Sequence, residues 1–452
     1  MGTSLLKLDI DDLLDNAVSN HDTTSVSVII HTTDDDIVPE FFEDFVVIRD
    51  YINNVTDYII VTAHLGLGDI YYNIYPYRGN LEATVVISNR DKNGKEYKII
   101  ERCKAVLLNH LEDMDSPIYK KMSKEELNKT AMNKLQLQCY LREYEAVRNL
   151  PVNCNVNNST VERAMQLVLS RIGLGESIKI DGKELEYNID IRKPDNEEVY
   201  TKIQIDTRES IPNLLDFPSY LQNAKGVYNG HIGTYIQRYN SKNDNSKTLF
   251  VYPLIDNDLF DTSDNNCIIY LPVDLNLSKF SNKTYYQDGD SLKILASDVN
   301  KVVDKAKYDM LNKGSGIAYT HPREILSRGM IKLDEEGKAN YDRNESVKEQ
   351  SLGTLEDGTS NIIYKGMSTN NFIDRSLILE NNLLYMDITW RFSNPDLIYP
   401  GMPVNVYQEE VDGEITIFKG NILRTFSFYS SIEKSLSSNV TMSLVRKEKD
   451  KK

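Results

Sequence analysis

Hydrophobic and polar residues alternate along most of this chain, with period two far more often than the helical period. Near the C-terminus Val404 and Val406 alternate with Asn405 and Tyr407, and Ile415 and Ile417 with Thr416 and Phe418. Ile422, Arg424, Phe426 and Phe428 then fall on one face, with Leu423, Thr425 and Ser427 on the other. Such alternation marks a strand with one covered face. Asp412-Gly413 and Lys419-Gly420 separate the runs with residues that tolerate positive φ. Pro400-Gly401 and Pro403 set the start, because proline cannot donate to a ladder in mid-sheet. Val440, Met442 and Leu444 form a fourth run. The pattern predicts an antiparallel meander of the kind that closes a small barrel or sandwich.

The same period runs back through the chain. Residues 1–40 are polar and acidic apart from "SVSVII", which predicts an arm carrying one strand. From about 42 to 110, "DYIIVTAHL", "DIYYNIYPY" and "NLEATVVIS" are rich in β-branched and aromatic residues and predict strands. Asn93-Gly94 predicts a hairpin turn into "KEYKIIER". Residues 41–115 therefore predict a first small β-domain, a barrel.

Residues 116–256 predict a second β-barrel unit with two helices. Ser123 and Glu126 form a capping box, and Leu135, Leu137, Cys139 and Leu141 share one face of a strand. "STVERAMQLVLSRIG" places Val161, Met165, Val168, Leu169 and Ile172 on one helical face, capped by Ser159 with Glu162 and stopped by Gly173. A strand pair is expected at about 185–206 and a helix from Ser210 to Gly226, broken or kinked at Pro218. "HIGTYIQRYN" and "TLFVYPL" predict a hairpin.

Residues 257–372 read as an inserted region. It holds the strand "CIIYLPVDL" and an amphipathic helix, "SDVNKVVDKAKYDMLNKG", with Val299, Val302, Val303, Ala306 and Met310 inward. A long polar loop follows over 313–370. Residues 373–446 return to β through "RSLILENNLLYMDITWRF", and 447–452 are a charged tail. The fold class is mainly β with inserted helices.

Charge and composition narrow the function. The chain has 52 basic and 68 acidic residues, a net charge of −16. That argues against a grip on nucleic acid, which needs clustered Lys and Arg. Solubility is the plain meaning of the acidity; the sharper one is a surface that lets DNA pass without sticking. Hydrophobic residues make up 40%, enough for sizeable cores. Cys103, Cys139, Cys154 and Cys267 show no C-x-x-C spacing, and Cys139 reads as a core residue. The N-terminal stretch has acids where a signal peptide needs bases, and no apolar run is long enough to insert in a membrane.

Candidate chemistry is sparse. No two of the six histidines lie three or four residues apart. His31 precedes Asp34, Asp35 and Asp36, but the run lacks the alternating acceptors of a calcium loop and reads as a solvated turn. "HLGLGD" and "RIGLGES" lack the third glycine of a dinucleotide fingerprint and read as turn glycines. There is no nucleophile elbow and no P-loop. Trp390, the only tryptophan, reads as a core or interface anchor. No catalytic, cofactor-binding or metal-binding residue is assigned, and the chain is expected not to be an enzyme.

The order of elements in the middle of the chain carries a resemblance. Thr207-Arg208-Glu209, Asp216-Phe217, Leu221 and Gly226-Val227-Tyr228 are followed by Leu249-Phe250-Val251-Tyr252-Pro253. With "YPGMPVNVY" and "GNILRTFSF" near the end, this resembles the baseplate hub proteins of contractile-tailed bacteriophages. The same fold forms the base of type VI secretion spike proteins and of phage late-control hub proteins. The resemblance covers about 41–256 and 375–446, and its motifs are degenerate. It implies two similar small β-barrels per subunit and a homotrimer of six quasi-equivalent units. Such a ring would adapt a threefold spike to a sixfold tail tube and form part of the DNA conduit. Its partners would be the central spike, tail tube and tube-initiator proteins and other baseplate proteins. It would sit in the virion tail baseplate after assembly in the host cytoplasm. The alternatives are a tail-associated cell-wall hydrolase and a peripheral host-interaction module, the latter kept open by the 313–370 insertion.

That insertion yields a test. It is rich in charge and turn formers and poor in large apolar residues, so it cannot offset its own ordering entropy. Replacing Glu335–Gly358 with a short Gly/Ser linker is expected to leave the fold intact. Loop closure changes by only about 0.6 kcal/mol per doubling of length, so calorimetry should find an almost unchanged melting temperature. An insoluble or much less stable protein would refute this.

Overall fold

The structure is a computed structural model. It describes residues 23–33, 35–39, 41–90, 96–108, 118–170, 179–180, 183–184, 187–194, 203–206, 212–228, 230–241, 244–255, 267–273, 284–288, 291–304, 316–319, 332–333, 339–340, 349–351, 361–364, 383–410 and 414–446. The expected turn at Asn93-Gly94 and the stop at Gly173 lie outside these residues.

The chain is mostly β, with a few short helices. Strands β1 (Thr23–His31), β2 (Asp36–Ile37), β3 (Phe41–Asp50), β4 (Tyr58–Gly66), β5 (Leu81–Arg90), β6 (Glu96–Leu107) and β7 (Met132–Leu141) form the first part of one large sheet. Their order is β3-β4-β7-β6-β5-β1-β2, with every pairing antiparallel. Alternation does the work here: Val28, Ile30, Phe45, Val61, Leu81, Ala83, Leu135 and Leu137 point into the first core. The β7 strand, expected in the second unit, pairs with β4 and β6 and belongs to this layer.

The rest of the large sheet comes from the later half of the chain. It comprises β13 (Cys267–Leu271), β14 (Tyr285–Asp288), β15 (Ser291–Leu295), β16 (Asp298–Asp304), β17 (Leu384–Trp390), β18 (Pro403–Glu409), β19 (Ile415–Ser430) and β20 (Ser435–Arg446). It covers a second core, in which the Trp390 ring packs edge-on against Tyr285 at 5.3 Å and its Nε1–H donates to Thr284. Trp390 is thus a core anchor, as its strand position suggests.

A third core lies under a smaller sheet made of β9 (Asn188–Ile191), β12 (Asp244–Pro253) and β11 (Ile232–Ser241). It is packed by helices α3 (Val161–Ser170) and α4 (Phe217–Lys225). β8 (Asn155–Ser159) and β10 (Ile203–Asp206) pair with each other beside it. Two further helices, α1 (Lys124–Thr130) and α2 (Arg142–Val147), flank β7.

One strand serves both parts of the large sheet. β19 runs for 16 residues and pairs with β20 along one edge. Its other edge is shared: 415–421 pair with β18 and 424–428 with β3. The change of partner falls at Ile422–Leu423, where Ile422 N–H donates to the Met402 carbonyl and Tyr51 N–H to that of Leu423. The start of β1 returns to this hairpin, where Thr24 N–H donates to the Lys434 carbonyl. The first layer therefore curls back on itself.

Several expectations change for physical reasons. Lys419-Gly420 is no turn: a Cβ on Gly420 would lie 1.8 Å from the Ser443 carbonyl oxygen, so this glycine lets two strands approach closely. "DIYYNIYPY" is helical over Ile70–Ile74 and Tyr75–Tyr77, because Leu67, Ile70 and Ile74 bury one helical face despite their β-prone neighbours. Residues 298–304 are strand β16, paired with β17, in place of the start of a helix. Pro218 sits in the first turn of α4, where its missing N–H does no harm, so it begins that helix instead of breaking it. The α3 cap is Thr160, whose Oγ1 accepts from Arg163 N–H; Ser159 ends β8. The strands near 188 and 203 do not pair with each other: β9 runs parallel to β12, and β10 pairs with β8. The 123–126 capping box forms as expected.

The C-terminal alternation is also interrupted. Against β20, Ile422 faces Met442 but Arg424 faces Thr441, so Leu423 is an extra residue, a β-bulge. A bulge shifts the inward phase by one. Phe418 and Ile422 are buried before it; Thr425 and Ser427 are buried after it, while Phe428 is 44% exposed. Arg424, Phe426 and Phe428 thus leave the face of Ile422.

Gly420→Val is expected to force β19 and β20 apart and destabilise the protein by about 1–3 kcal/mol, as overpacking does. Denaturant titration measures this, and a loss within error would refute the close-approach account.

Candidate functional site

The inward face of β3 runs Phe45, Val47, Arg49, and that of β6 runs Glu101, Cys103, Ala105. In each strand the last position towards the other two cores is charged. Arg49 is only 2% exposed. Its Nε–H donates to Asp57 Oδ2 at 3.1 Å, its Nη2–H to Asp396 Oδ1 at 2.5 Å, and its Nη1–H to the Pro395 carbonyl. Asp396 lies in a 3₁₀ turn over Pro395–Leu397, far from Arg49 in sequence.

From there the charges continue. Arg238 on β11 bridges Asp396 and Glu101, both at 3.3 Å. Lys247 on β12 bridges Glu101 and Glu143, both at 2.6 Å. Around this chain of ions, Tyr51 Oη donates to Gln237 Oε1 at 2.9 Å, and Gln237 Nε2 donates to the Ile398 carbonyl at 2.6 Å. A cavity of about 50 Å³ lies beside it, lined by Arg49, Asp57, Glu101, Arg238 and Asp396 and by the thiols Cys103 and Cys139. That is room for roughly three waters.

Burial and pairing compete at every member. Burial alone would lower the Arg49 pKa, but Asp57 and Asp396 outweigh it and raise it. Burial would raise Asp396, yet Arg238 and Arg49 hold it below the usual carboxylate value. Asp57 goes the other way: burial pushes it up, against the pull of Arg49. Lys247 loses to burial less than it gains from Glu101 and Glu143, so its pKa rises. The Tyr235 phenol faces Asp57, and both Tyr235 Oη and Asp57 Oδ1 are buried without a hydrogen-bond partner. Burial pushes the Cys139 thiol up to about 12 and also raises Cys103, so both stay protonated.

This arrangement joins elements. It ties β3, β6, β11, β12, α2 and the 395–397 turn into one body. It places no activated nucleophile beside a base. Among the described residues, no three His, Cys, Asp or Glu side chains are grouped to hold a metal. His31 hydrogen-bonds Asp36 at 2.6 Å and Thr84 at 2.7 Å, and the Thr32 hydroxyl closes the turn by accepting from Asp35 N–H; Asp34 lies outside the described residues. Gly66 and Gly68 of "HLGLGD" pack against Asn128 and the Lys124 backbone, where any side chain would collide. "RIGLGES" lies largely outside the described residues.

A second feature is on the outside. On the face of the first layer turned away from its core, paired residues form two rows. One runs Phe428, Val46, Ile60, Gln138, Val106; the other runs Phe426, Ile48, Tyr58, Tyr140, Lys104. Phe428 and Val106 are each 44% exposed. Sequence alternation cannot find this surface, because the rows assemble only across five strands.

No known protein-family pattern and no curated protein matches the chain. Solved structures with a similar course exist. A tail protein from Neisseria meningitidis MC58 is 11% identical, with a TM-score of 0.46 over 94% of this chain and 97% of that one. The 43 kDa tail protein of prophage MuSo2 from Shewanella oneidensis is 10% identical, with a TM-score of 0.46 over 92% and 98%. A lidded Francisella PdpA-VgrG complex is 10% identical, with a TM-score of 0.35 over 95% of this chain and 53% of that one. Likeness this distant carries no argument about function.

Asp396→Asn is expected to cost roughly 3 kcal/mol, because it leaves two buried guanidinium groups short of a partner. Asp57→Asn should cost less, since burial already disfavours that charge. For Asp396 the lowered pKa means stability present above the ordinary carboxylate value and lost as pH falls through the folded value. Melting curves against pH should show that acid loss in the wild type and a smaller one in Asp396→Asn. Equal costs for the two variants would refute the assignment.

Proposed function

We propose that this chain is a structural hub of a bacteriophage tail baseplate. Three copies form a ring that adapts the threefold spike to the sixfold tail tube and encloses part of the DNA conduit. The observation that carries this reading is the apolar outer face of the first layer. A barrel-like sheet with one side packed on a core carries polar residues on its other side when that other side meets water. Here Val46, Ile60, Val106, Phe426 and Phe428 stand on that side with Tyr58 and Tyr140, beside only two polar members, Gln138 and Lys104, and Val106 and Phe428 are exposed, which suits contact with another subunit. The motif resemblance from Thr207 to Pro253 and from Tyr399 to Phe428 supports the same reading. So does the acidity, since a negative surface does not hold DNA.

Light scattering on the purified protein, alone and with its spike, tests this. The expected mass is three times the 51.8 kDa of one chain. Phe428→Asp combined with Val106→Asp should give a folded monomer with an unchanged circular dichroism spectrum. A wild type that stays monomeric under both conditions would sink the reading.

A further inference from the structure

The buried ions form a linear series: Asp57, Arg49, Asp396, Arg238, Glu101, Lys247, Glu143. Signs alternate along it, and both ends are carboxylates. The series therefore holds one carboxylate more than it holds cations. The surplus is visible at the ends, where Asp57 Oδ1 and Glu143 Oε2 are buried without a hydrogen-bond partner. Asp57 is the more enclosed end, with 11% of its side chain accessible against 15% for Glu143. Its one cation, Arg49, is shared with Asp396 and the Pro395 carbonyl. The groups that face Asp57 are Arg49 from β3, Tyr51 just beyond β3, Tyr235 from β11 and Asp396 from the 395–397 turn. Only one of these is positive.

The geometry points to a proton-responsive joint: Asp57 holds the proton that balances the series, and its loss loosens the union of the third core with the first. An unbalanced buried charge costs several kcal/mol, and proton uptake removes that cost. Burial raises the Asp57 pKa, in the same direction. The sign follows. A carboxyl that binds its proton more tightly when folded adds stability below the ordinary carboxylate pKa, and that stability is lost as pH rises through the folded value. Asp396, with its lowered pKa, works the opposite way at lower pH. The joint is therefore firmest between the two titrations. This inference does not rest on the hub reading.

The cavity supplies its own reporters. Cys103 and Cys139 line it, whereas Cys267 is buried in the second core. Alkylation by iodoacetamide, mapped by mass spectrometry, should be measured across pH in the wild type and in Asp57→Asn. Dividing the wild-type rate by the variant rate at each pH cancels the titration of the thiols themselves. The ratio for Cys103 and Cys139 is expected to rise several-fold from mildly acidic to alkaline pH, while that for Cys267 stays flat. A flat ratio for Cys103 and Cys139 would overturn the joint. So would a rise shared by Cys267, which reports global opening. A ratio that stays flat against Asp57→Asn but rises when Glu143→Gln is the variant in the denominator would place the proton at the other end and overturn the assignment.

Discussion

A guanidinium almost wholly removed from water must be answered on every side, and Arg49 sets that demand at the centre of this molecule. Its partners come from the residue just before β4, from a turn near residue 396 and, through Asp396, from β11. None of these segments could drift without leaving a buried charge unanswered. Three hydrophobic cores, each able to tolerate small slides, are thereby held in one relation. The ions contribute specificity of arrangement more than net stability, since desolvation offsets most of their attraction.

The second constraint is covalent. β19 gives one edge to β18 and then to β3, so both parts of the large sheet are laid against a single backbone. Where they meet, the interior turns polar: Ser427 and Ser393 each bond the Ser438 hydroxyl, at 2.7 and 2.6 Å. Small hydroxyls suit the place where the two parts of the large sheet converge. The resulting body is rigid in two independent ways, by strand sharing and by charge.

How much of this could be read from the sequence depended on the range of the interaction. Strands β1, β4, β5, β7 and β20 were legible because alternation and burial coincide locally, and the Ser123 cap because it is a contact within one turn. The 67–77 helix was hidden by tyrosines whose strand preference is weak beside the burial of Leu67, Ile70 and Ile74. The start of β16 has the pattern of a helix in the sequence because Val299, Val302 and Val303 satisfy both periods over so short a stretch. The ion series left a trace, charged residues at the inward positions of Arg49 and Glu101, but all its pairs except Arg49 with Asp57 join residues more than a hundred positions apart. Long-range partners of that kind leave no periodic mark. The outer rows are equally invisible, since each strand contributes only two residues.

The bulge at Leu423 gives the C-terminal hairpin an unusual kind of sensitivity. Before it the even-numbered residues of β19 turn inward, and after it the odd-numbered ones do, while β20 keeps one parity throughout. One extra residue thus acts as a frameshift in the geometric sense. Without it Phe426 and Phe428 would be driven into the serine-lined interior, and Thr425 and Ser427 turned out to solvent. What this hairpin transmits down a lineage is therefore a length before it is a composition. Substitutions along it can be absorbed one at a time, but a single inserted or deleted residue would rewrite both of its faces at once.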